Sequence, residues 1–382
     1  MRILFMASRD ETDPRAAGGD VQAAAYARYL ADAGHRVTLW TSTRGDASFR
    51  EVRKGVEIEY LGSVRTLPLR SWRRYRLHAE EFDLVYTEAI GGTRVPFLAP
   101  IYVRQPLLCA WYQVNRPVFV HQYGRVVGGG LGVLERGIAR LHGRATILTP
   151  SESRRTDLIE LGFRPDRVFA VPPLALEHPP DFIPDVASRE PLIVWLGKIR
   201  RYKCVHLAIE AMAEVVKSCP AAKLVVAGRR DDPGYLRVLE ALIADLQLSD
   251  SVSFAFDLSE NAKAELLGRA TALVLPSPVE GFGIVILEAA ALGTPAIVSE
   301  GVPEEAVIGG YNGLRVRFGD TGALAGAIVR LLDSPDLHCE LAQNATTWAA
   351  TFSREMVMAK LDAAIASAIT PTVAMVPSSE RA

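Results

Sequence analysis

Residues Glu280 to Glu288 (EGFGIVILE) put two carboxylates, two glycines and an apolar run directly after a strand-like segment ending at Pro276-Ser277. A strand, a Gly-containing turn and a helix start gather free backbone N–H groups at the positive end of a helix, which is a ready anion site suited to phosphate. Gly281 and Gly283 let the backbone approach a ligand closely. Glu288, on the first turns of the helix, can accept hydrogen bonds from a diol such as a ribose, and Glu280 can contact a second polyhydroxyl group. Eight residues at ~1.5 Å rise separate the carboxylates by up to about 12 Å. A retaining glycosidase holds its pair ~5–5.5 Å apart, so the two do not read as acid and nucleophile. On residue chemistry alone, two exposed glutamates flanking an apolar helix stay open as the alternative.

The elements around this motif alternate regularly. Residues 2–7 read as a strand, followed by a loop ending in Gly18-Gly19-Asp20, a helix over 21–33 and a strand over 35–42: the βαβ opening of a parallel sheet. Further strands are predicted at 84–87, 107–112, 145–149 and 168–171. From Pro172 to Pro191 there are six prolines and no clear period, the composition of a linker. Beyond it, strands at 192–196, 223–228, 252–256, 272–276 and 296–299 alternate with helices at 203–217, 234–246, 259–269 and 283–293. The expectation is an α/β chain of two doubly wound parallel-sheet domains facing a central cleft. Its parts are 1–172, a linker 173–190, 191–352, a C-terminal helix 353–369 that crosses back to the first domain, and a disordered tail 370–382. Ligands bind such sheets beyond the carboxyl ends of the strands.

EGFGIVILE, preceded by LPSP and followed by EAAALGTPAIVSEGVPE, resembles the signature of retaining GT-B glycosyltransferases, specifically glycosyltransferase family 4. The resemblance spans nearly the whole chain, with the Gly18-Gly19 loop, Gly197–Lys203 and Gly301-Val302-Pro303-Glu304 in family order. It implies a transferase that moves a sugar from a UDP- or GDP-sugar to an acceptor hydroxyl with retention and without a metal. The resemblance further implies a front-face route, with the leaving phosphate helping to deprotonate the acceptor. It also implies roles: Glu280 on the donor sugar, Glu288 on the ribose, the amides near Phe282, Gly283 and Ile284 on the diphosphate, and Gly18 and Gly19 in the nucleotide-sugar site.

Two departures from the family pattern stand out. Where the family has Arg and later Gly, this chain has Lys198 and Cys204. Lys198 keeps the charge and loses bidentate geometry, leaving Lys203 as the firmer diphosphate ligand. Two such cations beside the leaving group would stabilise its developing negative charge. The family's catalytic-site His, counted from Pro106, falls on Tyr112. His121, nine residues later, is the other candidate for that role, or a structural histidine.

Composition narrows the partners. The 43 basic and 44 acidic residues nearly cancel, giving no reason to expect nucleic acid. Residues 1–171 carry +7 and residues 172–382 carry −8, placing the basic excess on the domain that the resemblance gives to the acceptor. Arg65–Arg76 holds five arginines interleaved with Leu67, Leu69, Trp72 and Tyr75, which suits either an anionic membrane surface, a phosphorylated acceptor or a solvated basic helix. Arg outnumbers Lys by 36 to 7 in an Ala-rich chain, as in GC-rich bacteria. Four scattered cysteines and seven unclustered histidines suggest neither disulfides nor zinc, so no cofactor or metal is expected. The N-terminal apolar run is short for a signal peptide and no stretch reaches the ~18–20 apolar residues of a membrane span, as expected of a cytoplasmic or peripheral protein. The rival functions are a nucleotide-sugar epimerase or phosphorylase on the same fold, a two-lobed solute-binding protein, and a catalytically weak nucleotide-sugar-binding protein.

Overall fold

The computed structural model describes residues 1–43, 48–89, 96–174 and 189–370. The first lobe runs β1 (Arg2–Met6), α1 (Gly18–Asp32), β2 (Arg36–Thr43), β3 (Ser48–Arg53), β4 (Val56–Ser63), α2 (Leu67–His78), β5 (Leu84–Glu88), α3 (Ala99–Tyr102), β6 (Leu107–Ala110), α4 (Arg116–Leu141), β7 (Thr146–Thr149), α5 (Glu152–Leu161) and β8 (Val168–Ala170). Its eight strands lie in the order β3-β4-β2-β1-β5-β6-β7-β8, parallel except for β3, which pairs antiparallel with β4. The second lobe runs β9 (Leu192–Lys198), α6 (Val205–Ser218), β10 (Lys223–Arg229), α7 (Pro233–Asp245), β11 (Val252–Phe256), α8 (Glu260–Arg269), β12 (Ala272–Leu275), α9 (Ile284–Ala291), β13 (Ala296–Ser299), β14 (Gly313–Val316), α10 (Thr321–Asp333) and α11 (Pro335–Ala350). Its six strands are all parallel, in the order β11-β10-β9-β12-β13-β14. The last helix, α12 (Arg354–Ile369), returns to the first lobe, where Val357, Met358, Leu361, Ala364 and Ile365 pack with Tyr26, Leu30 and Leu84.

The central strands are apolar runs such as Ile193-Val194-Trp195 and Ile3-Leu4-Phe5, buried on both faces because helices cover the sheets on each side. Parallel strands joined by helices place every strand end on one edge of each sheet. The chain order reverses beside β1 in the first sheet and beside β9 in the second, and the loops leaving those strands open into the cleft.

Several expectations shift by local physics. α1 begins at Gly18 rather than 21, because the buried Asp20 carboxylate accepts from the Ala17 amide (2.7 Å) and caps the helix. β6 stops at Ala110, so Tyr112 sits in the loop beyond the strand. The helix expected at 203 starts at Val205, after a one-turn 3₁₀ segment at Arg201–Lys203 and Cys204 at φ +52°. The hairpin β3–β4 and the long α4 were not anticipated. The Pro-rich linker and the tail fall largely outside the described residues, which omit 175–188 and 371–382.

Candidate active site

A cavity of about 550 Å³ lies between the lobes at the strand ends. Gly18, Gly19 and Tyr112 line it from the first lobe, and Lys198, Lys203, Glu280, Gly281, Phe282, Gly283, Ile284 and Glu288 from the second. Of the candidate catalytic and nucleotide-sugar residues read from the sequence, only His121 lies elsewhere. It is exposed on α4, with its ring edge-on to Phe318 of the second lobe at 5.5 Å, outside the cavity lining.

The turn into α9 explains the two glycines and the phenylalanine. Gly283 is the N-cap at φ +89°, a conformation that costs a residue with a Cβ about 1–2 kcal/mol. Phe282 is buried, its ring stacked on Trp348 (6.3 Å between centroids) and edge-on to Phe352 (5.4 Å), which anchors the turn through its side chain. The first N–H groups of α9 have no partner within the helix, and they open at its positive end onto the cavity wall.

Two carboxylates flank this turn, each held by a lysine. Lys203 Nζ donates to Glu280 Oε1 at 2.5 Å, with both side chains largely buried. Burial works to lower the Lys203 pKa, but the charge and hydrogen bond of Glu280, together with Tyr202, hold the ammonium above its ordinary value. Lys263 Nζ donates to Glu288 Oε1 at 2.9 Å and also pairs with Glu260 at 2.6 Å. Burial raises the Glu288 carboxyl, and Lys263 opposes that rise. Glu288 Oε2 is buried with no hydrogen-bond partner. A buried, unsatisfied acceptor facing a cavity is costly unless a ligand completes it.

Lys198 ends β9 and, among the described residues, has no hydrogen-bond partner. Burial pushes its ammonium down to about 8; Arg229 and Arg200 push the same way, while Asp231 and Asp20 oppose them. The two lysines of this segment therefore differ: Lys203 is locked in a pair, and Lys198 is open to an incoming anion.

On the opposite wall, Tyr112 Oη donates to the Gly19 carbonyl at 3.2 Å. A Cβ on Gly19 would come within 2.7 Å of the Tyr112 ring, so only glycine permits this packing. Burial and the neighbouring Tyr86 and Glu88 hold the Tyr112 phenol well above its ordinary pKa, and it stays protonated. Beneath it lie two buried carboxyls. Asp20 caps α1 and accepts from the Arg9 amide at 3.2 Å, and Glu88 accepts from Ser8 Oγ at 2.9 Å. Burial raises both above the usual carboxylate range, and the Asp20 charge raises Glu88 further.

Sequence reasoning missed four contributing residues. Lys263 looks like an ordinary helix charge until α8 is packed beside α9. Arg229 donates to the carbonyls of Pro14 and Ala16, tying the second lobe to the loop before Gly18. Ser151 and Ser153 reach across to the Gly281 carbonyl (3.1 Å) and the Glu305 carboxylate (2.5 Å). The Arg229, Ser151 and Ser153 contacts join residues more than 100 positions apart, and no local pattern marks them. Among the described residues, no group of three His, Cys, Asp or Glu side chains is placed to hold a metal ion. Also among the described residues, no helix is long and apolar enough to cross a membrane.

Two parallel-sheet lobes with a cleft at their strand ends are the GT-B arrangement, and comparison with known proteins agrees. Residues 17–173 match the glycosyl transferase 4-like domain, and residues 181–348 match the glycosyl transferases group 1. The chain belongs to the group 1 glycosyltransferases and has the GT-B fold. It is 33% identical over 54% of its length to D-inositol 3-phosphate glycosyltransferase of Acidothermus cellulolyticus, and the match spans 49% of that relative. Among solved structures it is similar to a sucrose-phosphate synthase from Thermosynechococcus elongatus, with TM-score 0.78 and 21% identity over 96% of this chain and 100% of that one. The Anabaena protein HepE, in complex with UDP-glucose, has TM-score 0.76 and 19% identity over the same shares.

Proposed function

We propose that the protein transfers a sugar from a nucleoside-diphosphate sugar, with UDP-glucose the first donor to test, to an acceptor hydroxyl. One observation carries the reading: Glu288, whose buried Oε2 has no partner, lines the same cavity as the N-terminus of α9 and the open Lys198. The carboxylate suits a ribose diol; the helix end and the lysine suit a diphosphate. A UDP-sugar offers both groups joined in one molecule, and the solved HepE complex with UDP-glucose supports that choice of donor.

In the reaction the sugar C1–O bond to the diphosphate breaks and an acceptor oxygen forms the new C1–O bond. The acceptor proton passes to an oxygen of the departing diphosphate. Lys203, Lys198 and the α9 amides offset the charge that develops there, and Glu280 orients the sugar hydroxyls. Both carboxylates of the motif are engaged by lysines, Glu280 by Lys203 and Glu288 by Lys263, which supports a front-face, retaining course over attack by either. The supply of cations and amides supports transfer without a metal. Closure of the cleft keeps water from the donor.

The test is UDP release from UDP-glucose with a panel of hydroxyl acceptors, with the product anomer read by NMR. The reading predicts acceptor-dependent release, an α-linked product and full activity in EDTA. Turnover of the donor to another sugar nucleotide without acceptor would favour an epimerase. Loss of activity in EDTA, restored by magnesium or manganese, would overturn the metal-free course.

A further inference from the structure

Among the described residues, the largest set of exposed apolar side chains lies on α4. Val126 is 89% exposed, Val133 67% and Leu134 58%, with Tyr123, Val127 and Leu141 also exposed. Gly124, at φ 80° and ψ 171°, breaks the helix, so the segment from Arg125 to Leu141 forms its own regular stretch. At about 100° per residue, Val126, Val127, Gly130, Val133, Leu134, Gly137 and Leu141 fall in one stripe roughly 120° wide. A Cβ built on Gly130 or Gly137 meets nothing within 4 Å, so the stripe is open along its length. The opposite side of the same helix is the buried one, through Gly128, Gly132, Glu135, Ile138 and Ala139.

The charges on this stretch have one sign. Arg125, Arg136 and Arg140 are exposed and flank the stripe on one side. Its only carboxylate, Glu135, is buried and accepts from the Asn115 amide and side chain, both at 2.8 Å. An apolar stripe edged by arginine alone is complementary to a surface that is apolar within and anionic at its rim. A second copy of this helix packed antiparallel across a two-fold axis would bring arginine against arginine.

We propose that α4 docks this protein on an anionic lipid bilayer, lying in the interface with its apolar stripe in the acyl boundary and its arginines at the headgroups. The beginning of α4 packs against the Arg201–Lys203 turn, and His121 touches Phe318, so the docked helix borders the mouth of the cleft. On the transferase reading above, on which this last step rests, docking brings a lipid-borne acceptor hydroxyl to the donor. α2 offers less: Leu67 and Tyr75 are buried, Arg74 is paired with Glu59, and Arg76 lies over Trp72.

The test is co-sedimentation of the full chain, without donor, with vesicles of phosphatidylglycerol and of phosphatidylcholine. The expected result is binding to phosphatidylglycerol vesicles that weakens with salt, and little binding to phosphatidylcholine. Val126→Asp with Leu134→Asp should lower the affinity about tenfold or more. Arg125→Gln, Arg136→Gln and Arg140→Gln together should lower it roughly 100-fold, at about fivefold per arginine. All are exposed positions, and unchanged UDP binding confirms that the variants are folded. Failure of the wild type to bind phosphatidylglycerol, or undiminished binding by the Val126/Leu134 variant, overturns the proposal. So does loss of binding in Arg73→Gln with Arg76→Gln alone, which would place the contact on α2. A dimer in light scattering that the Val126/Leu134 variant abolishes would instead make the stripe an interface between copies. None of these readouts involves transfer, so failure here leaves the reading of the cleft standing.

Discussion

Two cavities of nearly equal size mark this molecule, and they differ in what their polar groups have left to do. One, of about 590 Å³, lies in the first lobe against β2, β3, β4 and α2. Its charges face one another: Glu59 accepts from Arg50 and from Arg74, Arg36 pairs with Glu57 at 3.2 Å, and Arg2 pairs with Asp83 at 2.7 Å. The other, of about 550 Å³, is the cleft, where Glu288 Oε2 and Lys198 lack hydrogen-bond partners and a helix N-terminus opens. A ligand entering the first must break ion pairs that already satisfy one another. A ligand entering the second completes groups that burial has left wanting. Volume does not separate the two; unsatisfied chemistry does.

The sharpest way to break this comparison is Lys203→Ala. It removes a cation from the leaving-group side and leaves Glu280 buried without its partner. Turnover should fall about 10²–10³-fold, and the unfolding free energy should drop by about 3–5 kcal/mol. Urea titration separates the two effects, because Lys203→Ala with Glu280→Ala should recover much of the stability and none of the turnover. Recovery of turnover in the double variant would remove both from the chemistry.

Glu288→Ala comes next. Losing a charge-assisted hydrogen bond costs about 1.5–3 kcal/mol, or roughly 10- to 150-fold in UDP affinity. Part of the loss reflects Lys263, which the variant leaves with Glu260 alone. Glu288→Gln, which keeps a hydrogen-bonding side chain, should fall between wild type and Ala.

Lys198 makes the comparison depend on pH. With its ammonium lowered from 10.5 to about 8, it is a cation below pH 8 and must take up a proton to hold a diphosphate above it. UDP affinity should therefore fall above pH 8, by up to about tenfold per pH unit for one proton. The unfolded chain keeps that proton to higher pH, so this group makes the unliganded protein more stable as pH rises from 8 to 10.5. Lys198→Arg stays charged throughout and should flatten the affinity profile. A Lys198→Arg profile as steep as the wild type's would assign the titration to another group.

The smallest effect concerns the first-lobe wall. Tyr112→Phe loses the bond to the Gly19 carbonyl, worth about 0.5–1.5 kcal/mol, and should lower turnover roughly 2- to 15-fold with UDP affinity nearly constant. His121→Ala, at the lobe contact with Phe318, should do less. The reverse ranking would mean that His121 swings into the cleft when the donor binds.

The two walls of the cleft also differ in how readable they were. The second-lobe wall is made of one contiguous motif, where strand, turn and helix fall within a few residues, and Glu280, Gly283 and Glu288 stand in it as their spacing suggested. The first-lobe wall is assembled from distant segments. Counting from Pro106 brings Tyr112 into the cavity, but nothing local indicates that its hydroxyl is engaged by Gly19, or that Asp20 and Glu88 lie buried beneath. β3 and β4 were missed because alternating polar residues such as Arg50, Glu51 and Glu57 hide a strand pair at the sheet edge. α4 was missed because its six glycines suppress a helical reading, and its apolar stripe faces outward instead of marking a core.

The most direct measurement is a calorimetric titration of the intact protein with UDP-glucose, in wild type, Glu288→Ala and Arg50→Gln. Arg50 lines the first-lobe cavity and Glu288 the cleft. The account predicts one saturable site per chain, weakened roughly 10- to 150-fold by Glu288→Ala and untouched by Arg50→Gln. Equal affinity in wild type and Glu288→Ala, or a loss confined to Arg50→Gln, would contradict it.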